Sequence, residues 1–216
     1  MRFVSLWERC IGADGKAVFD RVEARYREPH RRYHGPRHIE QCLRQFDLAG
    51  PAIPNRDAVE FALWFHDAVY DVPRAPAAHN ESRSAEFFVG CARGRGVARL
   101  RADVCRLIDI TTHGELPQAP DERYVVDIDL SSFGLPWPEF LRDSAEVRAE
   151  QPAVPDDEFF AALEQLMRTL LTRPHFCFTE FFRARHEQRA RDNINRFLAC
   201  RRRLRKPRPY ESPPGA

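Results

Sequence analysis

Phe61-Ala-Leu-Trp-Phe-His-Asp-Ala-Val-Tyr70 is almost wholly apolar, and the break in it is the pair His66-Asp67. A run this hydrophobic belongs in a core. Two adjacent ionisable side chains in a core need a partner, because an unpaired buried charge is costly or shifts its pKa until it is neutral. A divalent cation suits an imidazole and a carboxylate together. A buried His–Asp hydrogen bond is the simpler alternative. The segments on either side decide between the two.

Those segments repeat with a helical period. Ile39, Cys42, Leu43 and Phe46 recur at i, i+3, i+4 and i+7. Val97, Leu100, Val104, Leu107, Ile108 and Thr111 do the same, as do Phe159, Phe160, Leu163, Leu166, Met167 and Leu170. Alternation of period two is scarce; Tyr124 to Leu130 could be read as a short strand, but it has helical flanks and no pairing partner. Prolines such as 29, 36, 51, 54, 117, 120, 136, 155 and 174 fall between the periodic stretches, where they start or stop helices. The pattern predicts helices over 3–27, 36–49, 56–70, 80–93, 97–112, 122–133, 137–149, 156–172 and 175–203, the last broken near 185. The expected fold is an all-α, compact helical bundle. Residues 1–204 read as one domain and 205–216, rich in proline, as a disordered tail.

Composition narrows the classes. The 216 residues suffice for one domain, and 43% hydrophobic with 31% charged residues is an ordinary globular balance. A net charge of +2 gives no mandate for nucleic acid or an anionic membrane. Arg201 to Lys206 is a basic cluster that suits a solvated helix C-terminus. The six cysteines, at 10, 42, 91, 105, 177 and 200, form no Cys-x-x-Cys pair, which argues against a zinc knuckle or a thioredoxin-like site. Met1 to Cys10 carries charges at Arg2, Glu8 and Arg9, unlike a secretory leader, and no stretch approaches the roughly 20 apolar residues of a membrane span. A cytoplasmic protein with free thiols is expected.

Other residues that carry chemistry lie outside the doublet's helix. In Arg32-Tyr-His-Gly-Pro-Arg-His38-Ile, Pro36 suits a first helical turn, and His38 flanks the apolar stripe one turn before Cys42. His34 falls in the loop before it. Asp127 and Asp129 are set in the apolar Tyr124-Val-Val-Asp-Ile-Asp-Leu130. Two residues apart on a helix, they point roughly 200° away from each other, so one of them can join a given cluster. A surface Asp and a local cap for Ser131 or Ser132 is the bland reading. One His, a His-Asp pair and an Asp from three helices would bring two nitrogens and two carboxylates together, as metal sites in bundles do.

In this order the residues resemble the HD superfamily of metal-dependent phosphohydrolases, whose pattern is a His, a His-Asp doublet and a distant Asp. More narrowly, the chain is similar to a bacterial group of predicted HD phosphohydrolases. The stretches that carry the resemblance are Arg32–Ile39, Trp64–Asp71, Asn80–Ala85, Ile110–His113, Asp127–Leu130 and Ala190–Asn193, spread from about residue 26 to 198. The resemblance implies that His38, His66, Asp67 and Asp129 hold a divalent metal ion (Mn, Fe, Co, Ni, Zn or Mg), with Asp129 fitting the motif's last Asp. It implies an HD-like bundle and hydrolysis of a nucleotide or another small phosphate ester by a metal-activated water. Asp71, one turn after Asp67, Glu81 and His113 are the expected catalytic residues, and His34 and Arg37 the expected phosphate contacts. For Asp71 the alternative is an ion pair with Arg74. No membrane or nucleic-acid partner is expected. The alternative functions are a non-catalytic metal- or nucleotide-binding module and a di-iron HD-type oxygenase, the latter requiring His34, Glu81 or His113 near a second ion. The chain departs from the group at Gln151, where an aromatic is usual, and at the turn Arg93–Gly96. His30, His79, His175 and His186 read as surface residues.

Overall fold

The computed structural model describes residues 1–72, 80–93 and 96–205, except the side chains of 202–205. The expectations for Arg74, His79 and residues 94 and 95 of the turn at Arg93–Gly96 lie outside the described residues, as does the tail beyond Arg205. The described residues are all-α and contain no strand. The helices are α1 (Arg2–Cys10), α2 (Gly15–Tyr26), α3 (Pro36–Ala49), α4 (Arg56–Phe65), α5 (Asn80–Cys91), α6 (Ala98–Asp109), α7 (Pro120–Asp129), α8 (Trp137–Ala149), α9 (Asp156–Thr172), the short α10 (Glu180–Phe182) and α11 (Gln188–Arg205). Turns of 3₁₀ helix follow α6 at Ile110–Thr112 and α7 at Leu130–Gly134. Among the described residues no helix is long and apolar enough to cross a membrane.

The apolar run sits at the centre. Ala58, Val59, Phe61, Ala62, Leu63 and Phe65 of α4 are all fully buried, and α4 packs against α3, α5, α6 and α7. A helix with an apolar surface this wide has to be covered by several neighbours. Phe3 and Trp7 of α1 close one side, with Phe3 at 5.4 Å from Trp64 and Phe65 at 5.0 Å from Phe88, both edge-on. Each such pair adds roughly 0.5–1.5 kcal/mol beyond its buried area.

Three helix boundaries differ from the sequence reading. The expected helix over 3–27 is two, because the chain reverses at Ile11–Asp14. Trp7 Nε1 donates to Asp14 Oδ1 at 2.7 Å, and a Cβ on Gly15 would meet the Val4 carbonyl at 3.1 Å, so glycine lets α2 approach α1. The helix expected over 56–70 ends at Phe65. Beyond it the backbone is held from outside: Arg31 donates to the carbonyls of Asp67 (2.6 Å) and Ala68 (3.1 Å), and Ser84 Oγ accepts the Val69 N–H at 2.9 Å. The last expected helix starts only at Glu180 and carries a π-helical turn at Arg183–Glu187. That turn lays His186 on Gly134, where any Cβ would stand 2.7 Å from the imidazole. His186 is therefore buried, stacked on Phe182, and not the surface residue expected; His175 is exposed.

Candidate metal centre

Four side chains meet where α3, α4 and α7 converge. Pro36 starts α3, and His38 follows in its first turn, 3% exposed. His66 caps the C-terminus of α4, and Asp67 is the next residue. Asp129 is the last residue of α7. His38 Nε2 lies 3.1 Å from His66 Nε2, 3.5 Å from Asp67 Oδ2 and 3.3 Å from Asp129 Oδ1. His66 Nε2 lies 3.0 Å from Asp67 Oδ2 and 3.6 Å from Asp129 Oδ1.

This spacing fits a metal ion. A tetrahedral ion with bonds of about 2.0–2.2 Å separates its ligand atoms by about 3.3–3.6 Å, and neighbouring ligands on an octahedral ion stand roughly 2.9–3.1 Å apart. Two imidazoles and two carboxylates suit a borderline divalent ion. His66 Nδ1 is 3.0 Å from the Leu63 carbonyl, which can only accept, so Nδ1 carries the proton and Nε2 presents its lone pair to the cluster. The helix termini add to this. α4 and α7 both end at the site, and helix C-termini favour cations and disfavour carboxylates.

The electrostatics show the same demand for positive charge. Burial opposes ionisation of His66, yet Asp67 and Asp129 hold its imidazole well above the usual pKa. Burial favours the neutral acids too, yet the imidazoles hold Asp67 and Asp129 far below the carboxylate range. For Asp129 the strongest of these contacts comes from His113, whose Nε2 is 3.0 Å from Asp129 Oδ2. His113 sits in a left-handed backbone conformation, with φ of 57°. For a residue with a side chain this is strained, and such strain gathers at functional sites.

Asp127 has a different task. Its carboxylate accepts the N–H groups of Phe178 (2.8 Å) and Thr179 (2.7 Å) and the Thr179 hydroxyl (2.7 Å). It fastens the segment before α10 and turns away from the cluster. It is also buried, not the surface residue of the bland reading.

The cluster forms one end of a cavity of about 460 Å³. His34, Glu81 and His113 line it beside His66, Asp67 and Asp129. His34 is fixed by Glu150, which sequence reasoning missed. Glu150, wholly buried, accepts from His34 Nδ1 at 2.6 Å and from the backbone N–H groups of Arg32, Tyr33 and His34 at 2.7–2.9 Å. Burial opposes charge on His34, but Asp67 and Glu150 raise its pKa. Its ring stacks on Tyr70 at 4.1 Å.

Two expected residues are not brought to the cavity. Arg37 pairs with Asp143 at 2.9 Å and with Glu146 on α8. Asp71 is exposed and pairs with Arg83 of α5. Because α4 stops at Phe65, Asp71 and Asp67 do not share a helical face. Cys42 is a further neighbour that the sequence reading placed only in the core stripe. Its Sγ lies 3.7 Å from His38 Nε2, and His38, Cys42, His66 and Asp129 offer ligand atoms within 4.8 Å of one another. The i, i+4 spacing of His38 and Cys42 was the available signal. Burial, with Asp129 and Asp67 nearby, pushes this thiol well above its usual pKa. Among the described residues this is the single group of converging ligand atoms; the ring nitrogens of His34 and His113 that a second ion would use are partly engaged by Glu150 and Asp129.

Compared with known proteins, the chain matches no family model, no curated protein and no solved structure.

Proposed function

We propose that this chain is an HD-type metal-dependent phosphohydrolase that attacks a small phosphate ester with water. The observation that carries the reading is the convergence of His38, His66, Asp67 and Asp129 at 3.0–3.6 Å on the end of a ligand-sized cavity. When bound there, a divalent ion supplies a water acidic enough to ionise near neutral pH and a Lewis acid for a phosphoryl oxygen. The remaining steps belong to the protein. His66 keeps Nε2 free for ligation because Nδ1 holds its proton and donates it in a hydrogen bond to the Leu63 carbonyl. His113 grips one oxygen of Asp129 and leaves the other facing the imidazoles. His34, anchored through Nδ1, offers Nε2 to the phosphate. Glu81, in the first turn of α5 and on the cavity wall, is the residue to take the water's proton. Arg37 and Asp71 have no part in this scheme.

The test is phosphate release from purified, metal-reconstituted protein offered nucleotides and generic phosphate esters. Asp67→Ala should abolish release, and His175→Ala, at an exposed position, should retain it. Release by the Asp67 variant at the wild-type rate would overturn the reading.

A further inference from the structure

The far part of the cavity bears on what the phosphate is attached to. Beyond the metal cluster it runs beneath α9, and its walls there are mainly Phe133, Phe140, Val147, Phe159, Leu163 and Met167, with Ser144 and Gln151 as uncharged polar residues among them. Phe159 and Leu163 line it from α9 while remaining only half-buried. Among the described residues no Arg or Lys lines the cavity. The nearby arginines are committed elsewhere. Arg37 pairs with Asp143 and Glu146. Arg148 pairs with Asp156 and donates to the carbonyls of Gln151 and Val154. The ionisable groups on the far walls are instead the carboxylates of Asp143 and Glu158. Asp143 Oδ2 is buried and has no hydrogen-bond partner among the described residues.

Sites that hold polyphosphates surround them with cations and backbone N–H groups. A second or third phosphate here would find no cation free to pair with it among the described residues, because Arg37 and Arg142 are held by Asp143, and would face the carboxylate of Glu158; an uncompensated buried charge is costly. An alkyl or aryl group in the same place would bury apolar surface against apolar walls, at roughly 25 cal/mol per Å². Resting on the phosphohydrolase reading for the phosphate end, we propose that the substrate is a phosphate monoester of an apolar alcohol, with the apolar body under α9. The same walls disfavour nucleoside diphosphates and triphosphates.

Calorimetric titration with octyl phosphate, glycerol 1-phosphate and ATP tests this, on protein with and without metal. Octyl phosphate should bind at least tenfold tighter than either of the others, with a negative heat-capacity change, in both forms. Leu163→Gln should lower the ratio of octyl phosphate to glycerol 1-phosphate affinity at least fivefold; Val89→Gln, on exposed α5 surface, should leave that ratio as it is. ATP or glycerol 1-phosphate binding as tightly as octyl phosphate would overturn the inference, as would an unchanged ratio in the Leu163 variant. Phosphate release measured in parallel separates the two claims. Turnover of ATP in preference to octyl phosphate sinks the apolar substrate and leaves a hydrolase. Tight octyl phosphate binding with no release from any ester sinks the hydrolase and leaves an apolar-ligand site.

Discussion

Asp127 and Asp129 stand two residues apart on α7, both in low-dielectric surroundings, and their carboxylates behave in opposite ways. Asp127 is met by fixed dipoles, two backbone N–H groups and a hydroxyl. Burial outweighs them and pushes its carboxyl up to about 6. Asp129 is met by three imidazoles that can carry positive charge, and its pKa falls well below the usual range despite burial. At Asp127 the fixed donors hold the carboxylate in place and favour its charge, but less than burial opposes it. A shell of lone pairs and carboxylates instead requires a cation, whether protons on the imidazoles or a metal ion. The first arrangement is a structural fastening. The second is a group of side chains that could hold a metal ion.

The largest effect that would break this contrast is in metal content. Asp129→Asn should lose the bound ion, and Asp127→Asn should keep about one per chain after reconstitution, as read by elemental analysis. Equal loss in both would erase the distinction. Next is stability. Asp127→Ala strands two half-buried N–H groups and a hydroxyl and should cost about 2 kcal/mol in denaturant unfolding of the metal-free protein. An unfolding free energy equal to wild type would show that Asp127 fastens nothing.

Smaller effects sharpen the picture. His113→Ala should weaken metal binding about 10- to 100-fold, as the loss of a residue that orients a ligand does; an unchanged affinity would reduce His113 to a bystander. The smallest is a pH effect at Glu150. Burial opposes its charge, but His34 and the backbone donors lower its pKa below the ordinary 4.5. Its stabilising contribution is therefore present above about pH 4.5 and lost as pH falls through its folded value. Glu150→Gln should flatten the acid side of the stability profile, and an acid limb as steep as wild type would reject that role.

Much of this was legible because amphipathic periodicity survives in a single chain. Ile39–Phe46 and Val97–Ile108 mark helices whose buried stripes match the observed cores of α3 and α6. The doublet was legible because charge inside Phe61–Tyr70 contradicts its surroundings. The end of α4 was not, since the apolar run continues to Tyr70; only Arg31 and Ser84, distant in sequence, show why the helix stops at Phe65. That hidden boundary is also why Asp71 read as a partner of Asp67. Arg37 looked like a phosphate ligand because its acids lie more than a hundred residues away on α8. Glu150 had no local signal at all, because its partners are backbone groups of residues 32–34.

The most direct measurement is X-ray absorption at the metal edge of protein reconstituted with zinc. Two imidazole nitrogens and carboxylate oxygens at about 2.0–2.2 Å, with no sulfur near 2.3 Å, is the result expected for His38, His66, Asp67 and Asp129. A sulfur ligand, which would put Cys42 in place of a carboxylate, or a spectrum lacking imidazole, would contradict the account.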